Sequence, residues 1–189
     1  METTATSAPV EQRASLVPTA LIGVAFLAVA VIFAASTDWY LAFKSVHVIF
    51  AVIWIGGGAL LTILGLIGER QNDPEQLAAV ARQAALVGEK LFAPAGLIVL
   101  SMGIAMMTNT NWGWGHFWVI FGLIGYATTF LIGIAVLSPM SKKLNGLMQT
   151  VGPSAPETQA GIKRILVVAR VDTAMLLLVV VDMVAKPFS

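Results

Sequence analysis

Cysteine is missing altogether from the 189 residues, and charged side chains make up only 11% of them. The first absence excludes a disulfide framework, thiolate metal sites and a cysteine nucleophile. The second excludes a soluble fold, because about a quarter of a soluble domain is charged and so little polar surface cannot clothe one. A net charge of +1 leaves no basic patch for phosphate, so no nucleic-acid partner is expected. Strand-like alternation is absent, and the apolar stretches share no common spacing of polar residues that would betray an internal repeat. What remains is apolar: 58% of the residues are hydrophobic.

Those residues gather in stretches of about 20, the length a helix needs to cross the hydrocarbon of a bilayer. The stretches are 17–35, 40–68, 86–107, 114–137 and 162–184. The sequence predicts an all-α, polytopic membrane helix bundle with five transmembrane helices, its single bundle domain spanning 17–186. Residues 1–16 are polar and read as a disordered cytoplasmic tail. Arg13 and the Ala34-Ala35-Ser36 patch give the first stretch the outline of a signal peptide. Its apolar run exceeds the ~7–15 residues of a signal core, so it is read as a retained helix.

Lysine and arginine set the orientation. With the N-terminus on one side, that side receives Arg13, Arg70, Arg82, Lys90, Lys142, Lys143, Lys163 and Arg164, and the other only Lys44 and Lys186. The richer side is cytoplasmic by the positive-inside rule, which places the C-terminus outside. Trp39, Trp112, Trp114 and Trp118 fall at the outer ends, as an interfacial belt. Asp73-Pro74-Glu75-Gln76 reads as an N-cap with proline at the first helical position, so a helix starts at Pro74 and runs into the third span. Its early turns, Leu77 to Ala85, are expected at the cytoplasmic surface. Thr150 to Gly161, with Pro153 and Pro156, reads as a flexible linker.

Ionisable groups within a span are costly enough to mark candidate sites. Lys44 and His47 share a helix face, and Ala51, Trp54 and Gly58 continue it, so this stripe should face the bundle. Gly56-Gly57-Gly58 would let a helix or a flat ligand approach the backbone. Four readings compete for His47: a haem ligand, a metal ligand, a proton relay, or a hydrogen-bonded packing histidine. His116 starts the fourth span in the same outer half, where a ligand shared with His47 is geometrically allowed, although an interfacial residue in the tryptophan-rich belt is the favoured reading. Matched depth suggests the ion pairs Lys44–Asp182 and Glu89–Arg170, leaving Asp172 to find another partner or protonate. Gly125, Thr129 and Gly133, four apart, read as a close-packing face. Met102, Met106 and Met107 are soft thioethers of the kind copper(I) favours, although methionine more often fills core.

The run "YLAFKSVHVIFAVIWIGGGALLTILGLIGER" resembles the K-x-x-H, then W-x-G-G pattern of an uncharacterised family of bacterial predicted integral membrane proteins. It is more distantly similar to HemJ-type protoporphyrinogen oxidases and to the membrane domain of copper-resistance protein D. The similarity continues through "EKLFAPAGLIVLSMGIAMM" and "WGWGHFWVIFGLIGY", covering about residues 40–145. In the HemJ type the matching histidine is a haem ligand, so the resemblance implies haem as a cofactor held by His47. Lys44, Trp54, Gly58 and His116 would lie around it. That type also has a lysine in a W-x-H-x-K setting; here Trp118 stands at the lysine's place, in Trp114-Gly115-His116-Phe117-Trp118.

The resulting expectation is an integral membrane protein of the bacterial inner membrane, binding haem or a metal through His47 as a small redox-type, oxidoreductase-like subunit. A non-catalytic scaffold or accessory subunit is the alternative, and a small carrier the third reading. The bilayer is the first partner, with a second copy or another membrane protein as further ones.

Overall fold

A computed structural model describes residues 38–110 and 112–188. The chain divides into two units at Ala42. Of the first unit the description reaches only 38–42, where Asp38 caps a helix: its side chain accepts from the Tyr40 N–H and its carbonyl from the Ala42 N–H. The expected span 17–35 and the tail 1–16 lie outside the described residues. Among those described there are helices and no strand.

Helix α1 runs from Trp39 to Gln71. Asn72 then enters the left-handed region at φ 52, a conformation asparagine tolerates better than most residues. Asp73 follows at once as the cap of α2, Pro74–Val87: its Oδ1 accepts from the Glu75 and Gln76 N–H groups at 3.0 Å each. The Asp73-Pro74-Glu75-Gln76 spacing predicts this start. The chain continues without a break through a π-helical turn, Gly88–Phe92, into α3, Ala93–Thr108. After a short loop, α4 spans Phe117–Leu131, a second π turn spans Ile132–Leu137, and α5 spans Ser138–Thr150. The last helix, α6, is Pro156–Ala185.

Both π turns have one cause. Pro94 and Pro139 lack an N–H and would press on the carbonyl four residues back. The wider turn places the preceding N–H five residues back instead: Ala93 donates to Gly88 and Ser138 to Gly133. Each helix thereby passes its proline without breaking, with its side-chain phase shifted.

Among the described residues three continuous helices are long and apolar enough to cross a membrane: Trp39–Gln71, Pro74–Thr108 and Phe117–Thr150. The sequence predicts five. The expected span 162–184 falls inside α6, where Arg170, Asp172 and Asp182 interrupt the apolar run. Large apolar side chains such as Val52 (64% exposed) and Ile124 point outward along the three candidate spans, as a lipid-facing surface requires.

The first turns of α2 pack inward: Leu77, Ala78 and Ala81 are buried in a core cluster with Leu144, Met148, Ile162 and Leu166 from α5 and α6. One further expectation needs correcting, because residues 151–155 are no flexible linker. Thr158 Oγ1 donates to the Gly152 carbonyl at 2.8 Å and Gln159 Nε2 to that of Pro153 at 2.7 Å, and Pro156 opens α6.

A second cluster lies midway along the bundle, with Trp54, Ala95 and Leu176 buried beside Phe92, Tyr126 and Phe130. A third, at the far end, holds Met107, Trp118 and Val119 beside Met183.

Candidate functional site

The site begins with small residues that let helices close up. On α1, Gly57 lies under the Phe92 ring, Gly58 faces Thr173 of α6, and Gly65 lies under Leu166. Thr62 and Thr173 hydroxyls lie 3.4 Å apart, and Arg170 pairs with Glu69 nearer the end of α1. The space freed by the glycine triplet is thus taken by neighbouring helices at Gly57 and Gly58. On α4, a Cβ at Gly122 would strike Met183 and one at Gly125 would strike Val179. The expected face 125/129/133 therefore holds at Gly125 and at Thr129, which is fully buried. It fails at Gly133, which meets no neighbour, because the π turn rotates that residue out of phase. Gly122 is its true continuation.

Between α1, α3, α4 and α6 these close approaches leave a pocket of about 130 Å³. Its walls are apolar, with Trp54, Met107, Trp118 and Val119 among them, and its polar groups are few. His47 is one: its Nδ1 lies 2.8 Å from the Val99 carbonyl oxygen. A carbonyl can only accept, so Nδ1 carries the proton. The neutral ring then presents a bare lone pair on Nε2, and no hydrogen bond to Nε2 is seen among the described residues. Gly103, whose Cβ would stand 3.4 Å from the imidazole, leaves room for the ring to reach α3. Donation from Nδ1 to a backbone carbonyl is also how histidines poised to ligate are held. Tyr126 is the second polar group. Its ring meets Trp54 edge-on at 5.8 Å, and its buried hydroxyl has no hydrogen-bond partner.

A cation stands over the tryptophan rings at this end. Lys186 takes a left-handed conformation (φ 44) after α6, and its Nζ stands 3.8 Å from the centre of the Trp112 ring and 4.9 Å from that of Trp118. Burial lowers its pKa below the usual lysine value, and the like charge of Lys44 adds to this. Trp112, Trp114 and Trp118, expected as an interfacial belt, also line the pocket.

The remaining expected site residues are placed as follows. Trp54 lines the pocket, while Gly58 packs on α6 and Lys44 is exposed. His116 is the exposed N-cap residue of α4 with its ring over Gly113, and it does not line the pocket; a ligand shared with His47 is not what the structure builds. Nor is the Lys44–Asp182 pair formed. Asp182 is buried behind Gly122, and both its carboxylate oxygens lack a partner. Arg170 does not pair with Glu89, because Glu69 at the end of α1 reaches it first and Glu89 turns to Lys90 at 3.3 Å. Asp172 keeps one buried oxygen without a partner. Met106 and Met107 join Met183 on the pocket wall, whereas Met102 does not line it.

Among the described residues no cluster of three or more His, Cys, Asp or Glu could hold a metal ion. The fit of a haem can be tested on volume. A cavity of roughly 150 Å³ takes one benzene ring; a porphyrin has four pyrroles in its macrocycle, and the pocket does not accommodate it.

A family model described as "predicted integral membrane protein (DUF2269)" matches residues 41–187. No curated protein and no solved structure matches the chain.

Proposed function

The chain belongs to the DUF2269 family of predicted integral membrane proteins, and within that frame we propose that it takes a single-ring lipophilic molecule from the bilayer into the His47 pocket. One observation carries this reading: an imidazole held through Nδ1 by the Val99 carbonyl, which leaves Nε2 as an acceptor, lines a one-ring apolar pocket. Ile104 on α3 and Leu123 on α4 line the same pocket yet remain exposed, which gives a membrane-dissolved molecule a lateral way in. Apolar walls with a few placed polar groups are the usual makeup of small-molecule sites.

The proposal includes the topology. Residues 17–35 and α6 serve as two further crossings, giving five, with the N-terminus cytoplasmic in a bacterial inner membrane. Pairing with Glu69 supports Arg170 at depth. Labelling single cysteines placed in this cysteine-free chain should find position 145 cytoplasmic and position 112 external; the reverse pattern sinks the orientation.

Binding is tested by titrating detergent-solubilised protein with 4-pentyltoluene and following tryptophan fluorescence. Saturable quenching in the wild type, lost in Gly103→Leu and in Val119→Phe, supports the reading. Quenching that persists in both filled variants places the ligand elsewhere and refutes it. The accessory-subunit alternative draws on Gly57 and Gly58, which serve helix packing. It predicts no saturable binding at all.

A further inference from the structure

Resting on the pocket reading, we propose that the ligand is a quinol, and that the site selects this reduced form over the quinone. The argument turns on which partner each wall demands. Nδ1 of His47 is committed to the Val99 carbonyl, so Nε2 can only accept. A quinone offers carbonyl oxygens alone, which would face that lone pair unpaired. A quinol offers a hydroxyl that donates to it. Leaving buried polar groups without complements is what makes sites built for a hydroxyl reject analogues lacking one.

The second wall supports two hydroxyls rather than one. Tyr126 comes from α4 and His47 from α1, and the Tyr126 hydroxyl is buried without a partner. A phenolic group both donates and accepts, so it complements the quinol's other hydroxyl. Trp54, edge-on to Tyr126, supplies an aromatic wall to the same pocket. An aliphatic tail on the ring has its exit past the exposed Ile104 and Leu123. The pocket, of about 130 Å³, admits one ring, which favours a benzoquinol over a larger fused ring system.

Calorimetric titration of the full chain in detergent, under anaerobic conditions, would compare three probes: a decyl-benzoquinol, its quinone and its dimethyl ether. The quinol should bind at least tenfold more tightly than the other two. A tenfold preference also raises the midpoint potential of the bound two-electron couple by about 30 mV, an independent reading of the same quantity. In His47→Asn, whose amide can keep the donation to Val99 but has no counterpart of Nε2, the preference should fall to within twofold while the helical signal stays unchanged. If quinone and quinol bind equally in the wild type, or if His47→Asn retains the preference, the quinol assignment is overturned while the pocket reading stands. If none of the three binds saturably while 4-pentyltoluene still does, the quinol assignment alone falls; if 4-pentyltoluene fails as well, both fall.

Discussion

His47 Nδ1 and the Val99 carbonyl oxygen, 52 positions apart in sequence, lie 2.8 Å apart and tie α1 to α3. The bond decides which imidazole nitrogen is protonated, and therefore what the pocket can bind. Its structural share is separable from its chemical one. His47→Asn should retain the tie and unfold within a few degrees of the wild type. His47→Leu should lose about 1 kcal/mol, the typical net worth of a hydrogen bond. Thermal loss of helical circular dichroism in detergent checks both; equal destabilisation by the two would argue against the tie.

The Glu69–Arg170 pair joins the end of α1 to α6, with each side chain about a quarter exposed (26% and 29%). Breaking a buried pair from one side costs about 3–5 kcal/mol, and the partial exposure here discounts that to roughly 1–3 kcal/mol for Arg170→Met. Adding Glu69→Gln should recover part of the loss, since no charge is then stranded. Glu89→Gln should change stability by less than about 0.5 kcal/mol, because the Glu89–Lys90 pair is exposed. A larger loss from Glu89→Gln than from Arg170→Met would restore the pairing expected from sequence depth.

How much was legible follows from these residues. His47 and Trp54 were recoverable from helical spacing on one span, because both lie on a regular stretch of α1. Val99 was not, since a backbone carbonyl leaves no trace in residue type. Depth alone put Arg170 in the right half of the bundle but could not choose between Glu69 and Glu89, which differ in the direction they face. The π turns changed the phase on which Gly133 was assigned. Their signal was present: Pro94 and Pro139 inside long apolar helices require some local accommodation. His116 stands exposed as the N-cap of α4, in keeping with the interfacial reading, while the shared-ligand reading needed a side-chain direction that its place near the helix start does not set. Tyr126 carried no pattern of its own and was missed.

Asp182 is buried with neither carboxylate oxygen partnered. Removing the acid should therefore relieve the fold: Asp182→Asn is expected to leave stability unchanged or raise it by up to about 2 kcal/mol. Combining it with Lys44→Met should show no coupling energy beyond about 0.5 kcal/mol. A clear loss in Asp182→Asn, with strong coupling to Lys44, would mean that the two charges do meet.

The α4–α6 seam distinguishes two glycines. At Gly122 a new methyl would meet the tip of Met183, a flexible side chain that can swing aside. At Gly125 it would meet Cγ2 of Val179, whose β-branched side chain is held in one rotamer on a helix. Gly125→Ala should cost about 1–3 kcal/mol by overpacking, and Gly122→Ala distinctly less. The opposite order in thermal unfolding would show that the helices approach at a different register.

The central claim is the state of one nitrogen, and nitrogen NMR of the protein carrying ¹⁵N-histidine reads it directly. With His116→Gln removing the only other histidine, at a pH where an ordinary imidazole is neutral, the account predicts a proton on Nδ1 and a bare Nε2. The Nε2 resonance should move when benzoquinol is added, while the Nδ1 resonance stays where the Val99 bond holds it. A proton on Nε2, or an Nε2 signal indifferent to the quinol, would contradict the account.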